Sequence, residues 1–501
     1  MPSHSLLLGH VRLRQFGSSP PPARIVDCDQ SRPALNCITA GGWSCCYART
    51  RDGDVYSLQA AVYRVVPLHF PGSGPHQAVA VDLPAASKVD LPDREQCIGW
   101  VRIEQTNAAV RVHCATRLMC VFWFLFARLS VGWDGLVAVL TDRGSLVSWQ
   151  DGEEAPPAVL RPSDSVGRGS KCSSRFVAVA VATGMTVMAV AEDGSLWSWR
   201  PRSRADPAAT DLEPVAWPCA RGAAHPPRVA EVCCGRRHVA LRDHNGKAWT
   251  YGWGLYGQLG HGHSKDCEAP TLVTATEDRA GRGRCKGVAC GGWHTAFLVC
   301  TDADGTDSDA SSTTFATRLL TCGWNEGGQL GHMPSAEEAR PSLQPAQQSS
   351  APLQNQGQTT GSICSVPTAV PALDGIPMSA IACGSRYTLV ATVAGELFAF
   401  GWSVRGELAA NNRTMSSALP ADSTPPASKR KRQDTSQAQH DDHDDAQQYW
   451  HEPVCLTTDH EGGSAFSSAV ATVVVDAQSL SSGGWHASVG CDFERSTHTA
   501  H

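Results

Sequence analysis

A glycine-led phrase returns seven times along this 501-residue chain. Each copy has a glycine, often with Trp or His beside it, then a short apolar strand, a turn and a second strand. The fullest copy runs Cys234-Gly235-Arg236-Arg237-His238-Val239-Ala240-Leu241, turns at Asp243 to Gly246, and continues Ala248-Trp249-Thr250-Tyr251-Gly252. It ends in Gly254-Leu255-Tyr256-Gly257-Gln258-Leu259-Gly260. The other six begin at Gly41, Gly132, Gly184, Cys290, Cys383 and Gly483. Recurrence at about 50 residues marks a repeat architecture, whose units cannot bury their apolar faces alone.

Each repeat predicts a β-hairpin. Its strands alternate apolar with small or polar residues, and Asp-Gly, Asn-Gly or Arg-Gly stands where the turn needs a left-handed backbone. Glycine and proline punctuate the chain too often for helices of period 3.6. The seventh repeat, at Gly483-Gly484-Trp485-His486, is followed by too little chain to finish it. Ser5-Leu6-Leu7-Leu8-Gly9 resembles a hairpin strand, and pairing it with the last repeat would close the sheet edges. The expected fold is therefore all-β: one seven-bladed β-propeller over residues 1–501, closed by its N- and C-terminal segments.

The stretches Trp249 to Gly262 and Cys322-Gly323-Trp324-Asn325 to Gln329-Leu330-Gly331-His332 resemble the repeats of the regulator of chromosome condensation family. The resemblance is clearest between about residues 232 and 408 and weaker in the first three repeats, which lack the Gly-Gln-Leu-Gly tail. In the sixth, that tail becomes Gly406-Glu407-Leu408-Ala409. A short, divergent, single-propeller member is the form it is most similar to. The resemblance implies a protein-interaction scaffold in a nuclear or chromatin-associated complex, with chromatin proteins as candidate partners. An alternative it also implies is guanine-nucleotide exchange on a Ran-type small GTPase.

Composition narrows the choice. Apolar residues make up 42% of the chain, ample for blade cores, and the net charge of −6 argues against direct nucleic-acid binding through a broad basic face. Leu118 to Leu129 is too short to span a bilayer and reads as a buried strand. The 20 cysteines show no Cys-x-x-Cys zinc spacing. Cys234, Cys290 and Cys383 share one repeat position, which reads as small buried hydrophobes in a reducing compartment.

No nucleophile elbow, phosphate loop or His-Glu-x-x-His occurs, so neither catalytic residue, cofactor nor metal site is assigned and no enzyme is expected. His238, His294 and His486 occupy the repeat's own position and read as hydrogen-bonded core elements. A light-sensing role, as in plant ultraviolet receptors of the family, is set aside because Trp293 and Trp485 are followed directly by His with no Arg between. Partner binding is expected at the projecting loops: Trp253, Leu255 and Tyr256, then Trp324, Asn325 and Glu326, then Val404 and Arg405.

Three segments, 301–314, 333–358 and 411–448, are rich in Ser, Gln, Pro and charge and are expected to be disordered insertions. The third holds Lys429-Arg430-Lys431-Arg432, a compact basic cluster that fits a nuclear import receptor. It also holds the tract 440–445, which reads as a solvated acidic run rather than a metal site. Nuclear localisation, with a cytoplasmic pool, is the resulting expectation.

Overall fold

The computed structural model describes the strands between residues 4 and 113, then 129–141, 144–150, 157–162, 175–183, 186–200, 211–217, 226–277, 282, 284–300, 317–332, 363–402, 449–456, 471–483 and 486–495. The three predicted insertions, the basic cluster at 429–432 and all of 118–128 lie outside these residues.

Among the described residues, antiparallel meanders follow the glycine-led phrases, and the hairpin Arg102–Thr106/Ala109–His113 stands apart as a two-stranded sheet. The fourth repeat pairs Val229–Cys234, His238–Asp243, Ala248–Gly252 and Cys267–Leu272 in order. The first, fifth and sixth repeats form four-stranded sheets in the same way. The second and third are joined, through Arg161 opposite Asp211, into one eight-stranded sheet. At the end of the chain Ala471–Ser482 and His486–Arg495 pair with each other.

His4–Gly9 then adds to the last of these strands, with Leu6 opposite Val489 and Gly9 opposite His486. The N-terminal strand therefore supplies what the last repeat lacks, as its sequence predicts. Arg24–Asp27 completes the meander, and the hairpin Val62–Leu68/His76–Asp82 extends it to six strands. The leading strands touch in cyclic order from Leu35–Gly41 through Leu129–Val131, Phe176–Ala182, Val229–Cys234, Cys285–Cys290 and Met378–Cys383 to Ala471–Ser482, which returns to the first.

Turn chemistry explains the hairpins. Asp243 accepts the backbone N–H groups of Asn245 and Lys247 at 2.8 and 2.9 Å, while Gly246 takes φ 75°. The core lies between successive sheets. Ala240 and Ala248 of the fourth repeat pack with Cys285, Val288, Phe297 and Cys322 of the fifth. Cys285, Cys290, Cys322 and Cys383 are buried, and burial pushes each of their thiols upward, that of Cys285 to about 12. Such thiols stay protonated and behave as apolar packing.

Polar latches also tie the fourth repeat to the fifth, the fifth to the sixth and the sixth to the last. His238 Nε2 lies 2.9 Å from Thr295 Oγ1, which itself donates to the Gln258 carbonyl at 2.7 Å. His294 Nε2 lies 3.0 Å from Thr388 Oγ1, which donates to the Gln329 carbonyl at 2.8 Å. A threonine hydroxyl has one proton, and here it is spent on the glutamine carbonyl. Each histidine must therefore donate from Nε2, leaving Nδ1 deprotonated. Tyr387 stands in for histidine in the sixth repeat and donates to the Gly483 carbonyl at 3.1 Å. The expectation of hydrogen-bonded core elements holds for His238 and His294.

Candidate functional site

In the fourth, fifth and sixth repeats the described loops joining first to second and third to fourth strands emerge at one edge of the meanders, so they share a face. The third-to-fourth loop is fixed from within. Leu259 and Leu330 are fully buried, and the Gln258 and Gln329 side chains turn back to accept N–H groups of Tyr256 and Gly327. With its hydrophobic plug inward, the loop presents the residues before it outward.

What it presents is a continuous aromatic surface across the fourth, fifth and sixth repeats. Trp253 meets Tyr256 and Trp293 with ring centres 5.3 and 5.0 Å apart. Tyr256 meets Trp293 edge-on at 5.7 Å and stacks on Trp324 at 5.4 Å, 18° from parallel. These rings are half-buried, and Leu255 beside them is 51% exposed.

Arginines from the neighbouring loops lie over the rings. Arg236 sits 4.8 Å from the Trp293 ring centre and Arg237 5.3 Å from that of Trp253. Arg386 lies 4.6 Å from Trp324 and 4.1 Å from Trp402, between them. Strand register imposes this meeting: His238 is opposite Gly252, so Arg237 faces Trp253, and its carbonyl accepts the Trp253 N–H at 2.9 Å. Arg386 and Trp402 are joined in the same way at 2.8 Å.

Of the residues expected to bind partners, Trp253, Leu255, Tyr256 and Trp324 come together here and Glu326 is exposed beside them. Asn325 departs from the expected projection. It is 3% exposed, and its amide holds the loop by donating to the His332 carbonyl and accepting the Leu330 N–H. Val404 and Arg405 lie outside the described residues.

Sequence reasoning missed Arg236, Arg237 and Arg386, because it sought arginine next to tryptophan along the chain. No arginine stands between Trp293 and His294 along the chain, but Arg236 reaches the Trp293 ring from the preceding repeat. The register of the hairpins was the usable signal.

Elsewhere, a cavity of about 280 Å³ opens beside the fifth and sixth repeats, lined by Glu231, Lys286, Val288, Met378 and Val393 among others. Burial raises the Glu231 carboxyl, and Arg242, bonded to it at 2.9 Å, offsets part of that effect. Among the described residues no cluster of His, Cys, Asp or Glu could hold a metal ion, and no helix is long and apolar enough to cross a membrane.

Residues 245–298 and 318–391 match the regulator of chromosome condensation (RCC1) repeat. The RCC1 domain-containing protein 1 of Homo sapiens is 30% identical over 200 residues, 37% of this chain and 48% of that protein. The ultraviolet-B receptor UVR8 of Arabidopsis thaliana is 27% identical over 188 residues, 37% of this chain and 32% of the receptor. The chain thus spans less than half the length of these curated relatives. The structure of Prp20p from Saccharomyces cerevisiae, a protein characterised for binding to Gsp1p and histones, superposes with a TM-score of 0.56 at 12% identity. That superposition covers 99% of this chain and 93% of Prp20p. It establishes a common fold.

Proposed function

Because the chain belongs to the regulator of chromosome condensation (RCC1) repeat family, we propose that it is a closed ring of seven blades acting as a non-catalytic scaffold for protein partners in a nuclear or chromatin-associated complex. The cyclic contact of the leading strands and the pairing of His4–Gly9 with His486–Arg495 support the ring. The observation that carries the function is the half-buried surface of Trp253, Tyr256, Trp293 and Trp324 with arginines over its rings. Tryptophan, tyrosine and arginine dominate the binding energy of protein interfaces, since they contribute area and directed hydrogen bonds at modest entropic cost. Affinity capture followed by mass spectrometry tests this with wild type and a Leu255→Asp/Arg237→Glu double variant. Both side chains are exposed, so the fold should survive. Specific partners should be lost from the variant; an unchanged set would refute the assignment.

Exchange on a Ran-type GTPase is the second reading, favoured by the common fold with Prp20p and that protein's characterised binding to Gsp1p. Accelerated nucleotide release from Ran would establish it in place of the scaffold. The basic cluster Lys429 to Arg432 supports nuclear import by an import receptor. Replacing all four with Ala should shift a tagged protein to the cytoplasm, and undiminished nuclear accumulation would rule the signal out.

A further inference from the structure

Where the first strands of the fourth and fifth repeats meet, two cysteines address each other. The Cys290 N–H donates to Cys233 Sγ at 3.1 Å, and the Cys290 S–H donates to the Cys233 carbonyl at 3.5 Å. The same S–H reaches the Cys233 sulfur. Each sulfur thus touches the other residue, the approach a disulfide needs, whose Cβ atoms stand about 4 Å apart. Cys233 is partly exposed, whereas Cys290 is buried. The hydrogen bond from Cys290 outweighs burial and holds the Cys233 thiol below its ordinary range, while burial holds that of Cys290 well above it. A thiol that ionises readily, is open to solvent and has a second thiol beside it is the arrangement of a redox-responsive cysteine. The repeat pattern does not supply the pair. At the next interface Ala289 takes the position of Cys233 and packs in one cluster with Cys383. Cys234 faces the other way, against the cluster that includes Met188 and Val190 of the third repeat.

We propose that Cys233 and Cys290 are a site of oxidative modification, at which a hydroperoxide converts their thiols to a disulfide bridging the fourth and fifth repeats. The Cys233 thiolate attacks one peroxide oxygen. An S–O bond forms as the O–O bond breaks, leaving a sulfenic acid, and the departing hydroxide takes the proton that Cys233 gave up. The Cys290 sulfur then attacks the Cys233 sulfur. The S–S bond forms as the S–O bond breaks, and the second hydroxide leaves as water with the Cys290 proton. Both sulfurs are oxidised and the peroxide is reduced. The thiols of a reducing compartment reverse such a bond, so it responds to oxidant and is not a permanent brace. The bridge lies at the root of the aromatic face, because Cys233 precedes Arg236 by three residues and Cys290 precedes Trp293 by three, and that arginine lies 4.8 Å from that ring centre. The assignment goes beyond the interaction reading and stands without it.

Peptide mapping of the full chain tests the proposal. Reduced protein, freed of reductant, is treated with hydrogen peroxide, blocked with N-ethylmaleimide before unfolding, and digested with trypsin without reductant. Fragmentation mass spectrometry should find the peptide holding Cys233 joined to the peptide holding Cys290 through those sulfurs, with loss of both free thiols. Dithiothreitol should restore them. Cys234→Ser should keep the bridge and Cys233→Ser should lose it. In Cys290→Ala, which removes the resolving thiol, a dimedone adduct should accumulate at Cys233. Circular dichroism melting checks that the variants fold; should one not fold, the map of the wild-type chain decides by itself. A wild-type chain that stays unbridged, a bridge from Cys233 to Cys234 or to any other cysteine, or oxidation of Cys233 to the sulfinic acid without a bridge would each overturn it.

Discussion

His238 and His294 show how a side chain that looks catalytic in a sequence becomes a structural element once buried. Loss of hydration penalises their charged forms and lowers their titration to about 4 and about 3, with His238 further disfavouring charge on His294. In the unfolded chain both should titrate near 6.5, so below that pH the unfolded state binds the extra protons. Stability contributed by the neutral pair is complete above about 6.5 and is lost progressively as pH falls toward 4 and then 3. At pH 5 the loss should be about 2 kcal/mol for each histidine. Thermal melts should therefore fall markedly between neutral pH and pH 5, and His294→Asn should show a shallower decline despite a lower starting point. Equal slopes in the two proteins would contradict the assignment.

At the scale of the element, the hairpin was legible and the meeting of hairpins was not. Alternation and turn residues identify the strands of the fourth repeat, and the glycine phrase marks where each repeat starts. Gly323, at φ 120°, closes the third strand of the fifth repeat where a Cβ would fall 2.5 Å from the Trp293 carbonyl oxygen. Gly252 and Gly401 repeat that arrangement in the flanking units. Such local constraints are written directly in residue type. The site is different, because Arg236 and Trp293 belong to different repeats, and only the register and the packing of one sheet on the next bring them together. Asn325 was misread for a related reason. A polar residue after a tryptophan reads as projecting, yet in the fifth repeat the Asn325 amide lies inside the Gln-Leu-Gly loop and satisfies both the His332 carbonyl and the Leu330 N–H.

For the whole molecule, closure is the device on which the remaining contacts depend. Leading strands that touch in a cycle leave each sheet covered on both sides, and the pairing of Leu6 with Val489 joins the chain's two ends. Removing residues 1–9 should expose the edge at His486–Cys491, where unpaired backbone groups invite association with other chains. The truncated protein should melt at lower temperature and elute as oligomers in size-exclusion chromatography; a monomer with unchanged melting would show that closure is dispensable.

The glycine of the fifth repeat's first loop adds a consequence of its own. A Cβ on Gly292 would fall 2.8 Å from the ring of Trp133, so that ring rests directly on the Gly292 backbone. Trp133 belongs to the second repeat, which is not adjacent to the fifth in the cyclic order of leading strands. A contact between non-neighbours on a circle is a chord, and a chord braces a circle against being squeezed into an oval. Trp133 thus ties the second repeat to the loop that carries Trp293, so the aromatic face is held from across the cycle as well as by its neighbours.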